Sequence, residues 1–211
     1  MKAYVFYTES IKHLVTMLCD SAKGIDNLEI IPELHEETYS DCELGQTHGS
    51  GYLELCLQSH FHKLKLMKEN IGHSIVFLDA DIVFNNNIND FSKIIDESLV
   101  ENDFLFQYDN NSGMSKRINL GIIAVKCSQR SITLWEAHCK NVSSIPPSDR
   151  VAGFPQIEFN DLIGSWDQEI SYKNLPLTFG YLGKECILYH AIGTPNKVEA
   201  MSEALRIFSC K

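Results

Sequence analysis

The chain opens on an unbroken apolar run, Ala3-Tyr4-Val5-Phe6-Tyr7, followed by a repeat in which Ile11, Leu14, Val15, Leu18 and Cys19 recur at three- and four-residue spacing until Gly24. A short run without polar alternation fits a strand covered on both faces, and the 3.6-residue period fits a helix with one buried stripe, capped by Ser10. Leu28 to Ile31 repeats the strand signal and stops before Pro32, and residues 33–50 are polar and partly acidic, as in a loop. A long helix is then predicted from Leu53, Leu57, Phe61, Leu64 and Met67, ending before Gly72, and Ser74 to Leu78 reads as a central parallel strand. Beyond it, Asn89 or Asp90 starts a helix bearing Phe91, Ile94 and Ile95. Phe104–Phe106 and Gly121–Val125 are strands, and Ser128 opens a helix through Trp135. The stretch from Ile145 to Pro155 holds three of the six prolines and is expected to be irregular. A short helix at Ile157–Ile163, a strand at Cys186–His190 and a closing helix at Lys197–Phe208 complete the pattern.

Strand and helix alternate in the first half and mix in the second, with no linker or repeat between them. The expectation is therefore a single α/β domain over residues 1–211, with a central mixed, mostly parallel sheet flanked by helices. A chain of 211 residues that is 44% hydrophobic can bury one core. Its longest apolar stretches fall far short of the ~20 residues that span a bilayer, and Thr8-Glu9-Ser10 interrupts the opening run before a signal sequence could form. A soluble, cytoplasmic protein is expected. Seven cysteines without Cys-x-x-Cys spacing read as reduced thiols, and two Asn-x-Ser sequons, at Asn110 and Asn141, carry no weight without a secretion signal. The net charge of -10 argues against a nucleic-acid partner. An acidic protein that binds a diphosphate must supply positive charge locally, and a metal ion is the simplest source.

Candidate chemistry centres on Ser74-Ile75-Val76-Phe77-Leu78-Asp79-Ala80-Asp81-Ile82-Val83-Phe84, where two carboxylates stand alone in an apolar segment. Two like charges near a buried strand end are costly unless a cation pairs with them or a proton is taken up. The carboxyl end of a parallel strand is also where open α/β sheets bind ligands. If the segment stays extended, Asp79 and Asp81 point the same way and can share one hard cation. The bland alternative is a pair of exposed loop aspartates. A second apolar strand ending in a ligand-type residue, Cys186-Ile187-Leu188-Tyr189-His190, followed by Ala191-Ile192-Gly193-Thr194-Pro195-Asn196-Lys197, makes the joint pattern harder to dismiss. His190 can complete a metal site, Gly193 allows close backbone approach to phosphates, and Lys197 adds a point charge. An imidazole beside two carboxylates suits Mn²⁺ better than Mg²⁺.

On these motifs the sequence resembles the GT-A glycosyltransferases of the nucleotide-diphospho-sugar transferase group, over most of the chain. It also resembles a large-virus-encoded glycosyltransferase domain of the chlorella-virus kind. The resemblance implies a Rossmann-like GT-A domain, with residues 1–108 mainly a nucleotide-binding half and 109–211 mainly an acceptor-binding half with closing elements. It implies Asp79, Asp81 and His190 as ligands of Mn²⁺ or Mg²⁺, with Ala80 inside the motif, and Lys197 and Gly193 at the diphosphate. Tyr7, Thr8 and Glu9 would lie against the base and ribose, and Lys63 would be a basic nucleotide contact rather than part of a solvated helix face. Asn119-Leu120-Gly121 matches a strand start bordering the donor sugar. Gln156 to Asp161 resembles an element that usually begins Asp-Gln, but Pro155 stands where the Asp would be. Glu158 and Asp161 are the nearest carboxylates and the candidate catalytic residues. The implied activity is hexosyl or deoxyhexosyl transfer from a UDP-sugar to a glycan or glycoprotein hydroxyl.

Rival readings share the same residues. An apolar strand followed by Asp-x-Asp-x-Val is also the first motif of haloacid-dehalogenase-type phosphatases, with Asp79 as nucleophile and Asp81 as acid/base. No downstream Gly-Asp pair supplies that family's metal site. A non-catalytic sugar-nucleotide-binding module would keep the clamp without transfer. An EF-hand lacks its third ligand and glycine here, and Gly45 to Gly51 lacks the Gly-Lys-Ser/Thr ending of a phosphate loop.

Overall fold

The computed structural model describes residues 1–36, 50–109, 118–183 and 185–209. Cys42, Cys210, the Asn110 sequon and most of the predicted loop at 33–50 lie outside the described residues. Six strands form the main sheet: β1 (Lys2–Tyr7), β2 (Glu29–Leu34), β3 (Ser74–Leu78), β5 (Phe104–Tyr108), β6 (Ile118–Lys126) and β7 (Tyr172–Asn174), in the order β2-β1-β3-β6-β5-β7. Pairings β1–β2, β1–β3 and β5–β7 are parallel, whereas β6 runs antiparallel to both β3 and β5. Five strands therefore share one direction and β6 alone opposes it. Because β6 lies between β3 and β5, the first and second halves of the chain build one sheet. A small second sheet, β4 (Ile82–Phe84), β9 (Leu188–His190) and β8 (Phe179–Gly180), sits past the carboxyl end of β3.

Helices cover both faces. On one, α1 (Lys12–Ser21), α3 (Phe91–Leu99) and α6 (Lys197–Ser209) bury Leu14, Leu18, Phe91, Ile95, Met201 and Phe208 against Val5, Val76 and Ile122. On the other, α2 (Ser50–Glu69), α4 (Gln129–Ser144) and α5 (Phe154–Ser165) meet Phe77, Phe106 and Ile123 through Met67, Trp135 and Phe159. Burial on both faces explains why β3, β5 and β6 read as solid apolar runs. No helix among the described residues is long and apolar enough to cross a membrane.

Several boundaries differ from expectation, for physical reasons. β2 continues through Pro32, because at the sheet edge a residue without an amide proton breaks no ladder. Ser10 does not cap α1: its hydroxyl pairs with Thr8 Oγ1 at 2.9 Å within a short 3-10 turn, Glu9–Ile11. Phe61 is exposed rather than part of the core face of α2, where His60 and Lys63 are buried instead. The predicted Ser128 cap is present, in a reciprocal box with Ser131, and its helix runs on to Ser144. The strand predicted at Cys186 begins only at Leu188, and the three-residue or shorter strands β4, β7 and β8 gave no usable period.

Candidate metal and diphosphate site

β3 delivers Asp79 to the carboxyl edge of the sheet, and antiparallel pairing of β4 with β9 sets Ile82 opposite His190, so that Asp81 and His190 become neighbours. The segment is not extended throughout. Ala80 and Asp81 form a turn, yet both carboxylates still converge on the imidazole. His190 Nε2 lies 3.1 Å from Asp81 Oδ1 and 3.5 Å from Asp79 Oδ2. One ligand atom from each of the three residues lies within 4.8 Å of the others, the only such cluster of three found among the described residues. Two oxygens and one imidazole nitrogen at this spacing fit a single divalent cation of the Mn²⁺ class.

Space for the cluster comes from β6. Across Phe106 and Gln107 the β5 pairing jumps from Ile123 to Asn119, so Leu120, Gly121 and Ile122 have no partner on β5. The resulting bulge aims backbone inward: Asp79 N donates to Gly121 O at 2.8 Å, and Gly121 N donates to Asn119 Oδ1 at 2.8 Å. A Cβ on Gly121 would sit 2.2 Å from His190 Cε1 and 2.8 Å from Asp79 Oδ2, so only glycine fits. The Asn-x-Gly signal thus marks a bulge one residue inside β6, against the carboxylates.

Lys197, at the start of α6, sets its ammonium 2.6 Å from Asp81 Oδ2 and also donates to Ala191 O. Burial opposes ionisation of Asp81, but His190 and Lys197 outweigh it and hold the carboxyl well below its usual range. His190 is buried, which disfavours its cation, yet Asp81 and then Asp79 raise its pKa above the ordinary value. Gly193 has φ of +68°, the left-handed turn between β9 and α6, with open space where a side chain would project. Lys63 is buried on α2 with its ammonium 5.6 Å from the centre of the Phe6 ring, and burial lowers its pKa while Asp79 raises it. A solvated helix face is therefore the wrong description of Lys63.

The remaining predicted residues make other contacts. Thr8 is buried at the end of β1, and Glu9 makes only an exposed ion pair with Lys12, at 2.7 Å. On α5 the residues bonded to β6 are Gln156, whose Oε1 accepts from Leu120 N at 3.0 Å, and Asn160, which exchanges bonds with the backbone of Ile118. At 100° per residue Glu158 and Asp161 project away from that face. The carboxylate-based choice within this element thus passed over Gln156, which also donates to the buried Asp109 at 3.4 Å. Two further neighbours escaped the sequence reading. Tyr52, on the first turn of α2, has its pKa raised by burial, with Asp79 and Asp81 adding to the shift. Gln107 accepts from His190 Nδ1 at 2.8 Å. Neither belongs to a motif, and only the fold brings them in.

Solved structures that share this fold include glycosyltransferases. GlyE of Streptococcus pneumoniae TIGR4 aligns with a TM-score of 0.65 at 12% identity over 100% of this chain, which spans 60% of that protein. A glycosyltransferase involved in glycosylation of the major capsid of PBCV-1 aligns with a TM-score of 0.65 at 12% identity, over 97% of this chain and 98% of that one. The galactosyltransferase LgtC, solved with donor and acceptor sugar analogs, gives 0.56 at 11% identity over 99% and 95% of the two chains. Another LgtC structure carries a glutamine-to-glutamate substitution described as an active-site mutant. No curated protein matches the chain in sequence. The family model for nucleotide-diphospho-sugar transferases matches residues 52–200, from the first turn of α2 to α6 and through Asp79, Asp81 and His190, and the chain belongs to that family.

Proposed function

We propose that this chain transfers a hexosyl or deoxyhexosyl group from a UDP-sugar to a hydroxyl of a glycan or glycoprotein, in the cytoplasm. The observation that carries the reading is the convergence of Asp79, Asp81 and His190 beside Lys197 at the carboxyl edge of β3. A phosphatase with the same Asp-x-Asp loses its support with the family assignment. In the reaction the bond from the anomeric carbon to the β-phosphate oxygen breaks, the diphosphate keeps the electron pair, and the acceptor oxygen forms the new bond and gives up its proton.

Asp79, Asp81 and His190 would hold a divalent cation, Mn²⁺ or Mg²⁺. When bound, such an ion supplies electrostatic stabilisation to the developing diphosphate charge. Lys197 would exchange Asp81 for a phosphate oxygen, and Gly193 leaves the backbone beside it unobstructed. Lys63 contributes a second, buried positive charge near Asp79, where a low dielectric makes it count for more than at the surface. Tyr7, Thr8 and Glu9 are assigned to the nucleoside, on the strength of their position at the end of β1. Asn119 and Gln156 are assigned to the donor sugar: both brace the β6 bulge, and an active-site glutamine in LgtC supports the choice. Glu158 and Asp161 keep a role only towards an acceptor.

Calorimetric titration of UDP and UDP-glucose, with Mn²⁺ and with EDTA, tests the reading. Manganese-dependent binding that vanishes in the Asp79→Ala/Asp81→Ala variant is the expected result. No binding in any condition would remove the UDP-sugar assignment.

A further inference from the structure

We propose that Gln107 is a positioning residue that keeps the proton of His190 on Nδ1 and so reserves Nε2 for the cation. The inference rests on the metal-site reading above and extends it to a side chain hydrogen-bonded to His190 on the ring edge away from Asp79 and Asp81.

Four observations converge on it. First, Gln107 Oε1 and His190 Nδ1 are 2.8 Å apart, and a ring nitrogen facing a carbonyl oxygen must be the donor. Nε2, on the opposite side of the ring, faces Asp79 and Asp81. If the amide were turned end for end, its N–H would face Nδ1 and the proton would be forced onto Nε2, closing the nitrogen that a cation needs. Second, Gln107 is fully buried at the start of the β6 bulge, where it pairs with Asn119, so the site that shapes Gly121 also anchors the glutamine. Third, Gly180 in β8 has φ of +115°, and a Cβ there would lie 2.0 Å from Gln107 Nε2. The backbone of β8 thus packs directly on the amide. Fourth, Gln107 Nε2 is buried with no hydrogen-bond partner among the described residues. An apolar side chain of similar shape would avoid that unpaired group, so packing alone does not account for an amide here. The bond to His190 does. Metal-ligating histidines commonly donate their second N–H to such an oxygen, which orients the ring and settles its tautomer.

The test uses the purified full chain and Mn²⁺ alone, with free ion counted by electron paramagnetic resonance. Gln107→Leu removes the acceptor and is expected to weaken Mn²⁺ binding by about 10- to 100-fold. Gln107→Glu keeps an acceptor oxygen and is expected to stay within a few-fold of wild type. Gly180→Ala, which displaces the amide without changing it, is expected to weaken binding in the same direction as Gln107→Leu. A measurement that needs no variant is the long-range ¹H–¹⁵N spectrum of the wild-type protein loaded with Mg²⁺, where His190 should carry its proton on Nδ1. Equal Mn²⁺ affinity in wild type and Gln107→Leu, or a proton on Nε2, overturns the role of Gln107 while leaving the metal site standing. A wild-type protein that binds no Mn²⁺ overturns the site and this inference together.

Discussion

The buried residues His190, His60 and His138 occupy two environments that behave in opposite ways. His190 sits at the carboxyl edge with Asp79, Asp81 and Lys197, and its neighbours favour the charged ring. His60 and His138 face each other across α2 and α4, with His60 Nδ1 2.9 Å from His138 Nε2, among Trp135, Phe159 and Cys139. Burial, reinforced by Lys63, pushes His60 well below its ordinary value and His138 down to about 3. The difference is one of neighbours: carboxylates retain a proton on one ring, and an aromatic core with a nearby ammonium expels it from the others. A charged, half-hydrated cluster can exchange its proton for a metal. A neutral pair locked in the core can only pack. Burial also accounts for two of the cysteines: by itself it raises Cys127 to about 12, and it outweighs the opposing Lys63 and Lys68 to bring Cys139 to a similar value, which leaves both as inert filler.

The strongest way to break the contrast is to empty the carboxyl edge. Asp79→Ala with Asp81→Ala should lower turnover by roughly 10³-fold or more, about 4 kcal/mol in barrier, because charge on the leaving diphosphate loses its counter-charge. Steady-state rates with saturating Mn²⁺ measure this. The same substitutions in the core pair's surroundings have no such target.

Acid separates the two groups by the sign of their effect on stability. A histidine whose folded pKa is depressed leaves more protons on the unfolded chain, so its contribution is complete above about 6.5 and is lost as pH falls towards 3. For His138 the loss is about 3 to 5 kcal/mol over that range. In metal-free protein His190 does the reverse: its contribution is complete below about 6.5 and fades as pH rises through its raised folded value. Urea unfolding in EDTA between pH 3 and 7 should show stability falling on acidification. The double variant His60→Leu/His138→Leu, which removes both polar partners at once, should flatten that slope. An unchanged slope would mean that the pair takes up its protons without unfolding.

Single substitutions in the two groups should part stability from metal binding. His138→Ala opens a cavity beside Trp135 and Phe159 and orphans His60 Nδ1, at a cost of about 2 to 4 kcal/mol, with Mn²⁺ affinity unchanged. His190→Ala should weaken Mn²⁺ binding while thermal unfolding moves less. Melting curves and Mn²⁺ titrations on both variants check the crossing.

How far the sequence discloses these roles depends on whether a residue's partners are near it in the chain. Asp79 and Asp81 stand out because they interrupt an apolar run, and His190 because it ends another. The sheet was legible for the same reason: β3 and β6 are buried on both faces and read as solid apolar runs. Lys63 looked ambiguous, since α2 carries a mixed pattern in which Phe61 is exposed and His60 and Lys63 face inward. Gln107 was invisible, because its meaning depends on His190, 83 residues away, and on a bulge that no local period encodes. The turn at Ala80 was not legible either, because alternation cannot register a two-residue bend.

The smallest expected effect bears on why the carboxyl edge exists at all. Asp79 is half exposed and lies beside Asp81, while Asp81 is the more buried carboxylate and already has Lys197 at 2.6 Å and His190 at 3.1 Å. Of the two, Asp79 gains less from these partners in the metal-free protein and adds like charge to the site. Asp79→Asn should therefore leave the stability of the EDTA-treated protein unchanged or raise it by up to about 1 kcal/mol, while Mn²⁺ binding is lost. Asp81→Asn should instead destabilise it by about 1 to 3 kcal/mol, because Lys197 loses its ion-pair partner and His190 the nearer of its two carboxylates. Parallel unfolding curves in EDTA for the two variants decide the point. A site tuned only for stability would prefer Asn at 79, so a gain there would identify Asp79 as a residue whose charge serves the bound cation rather than the fold.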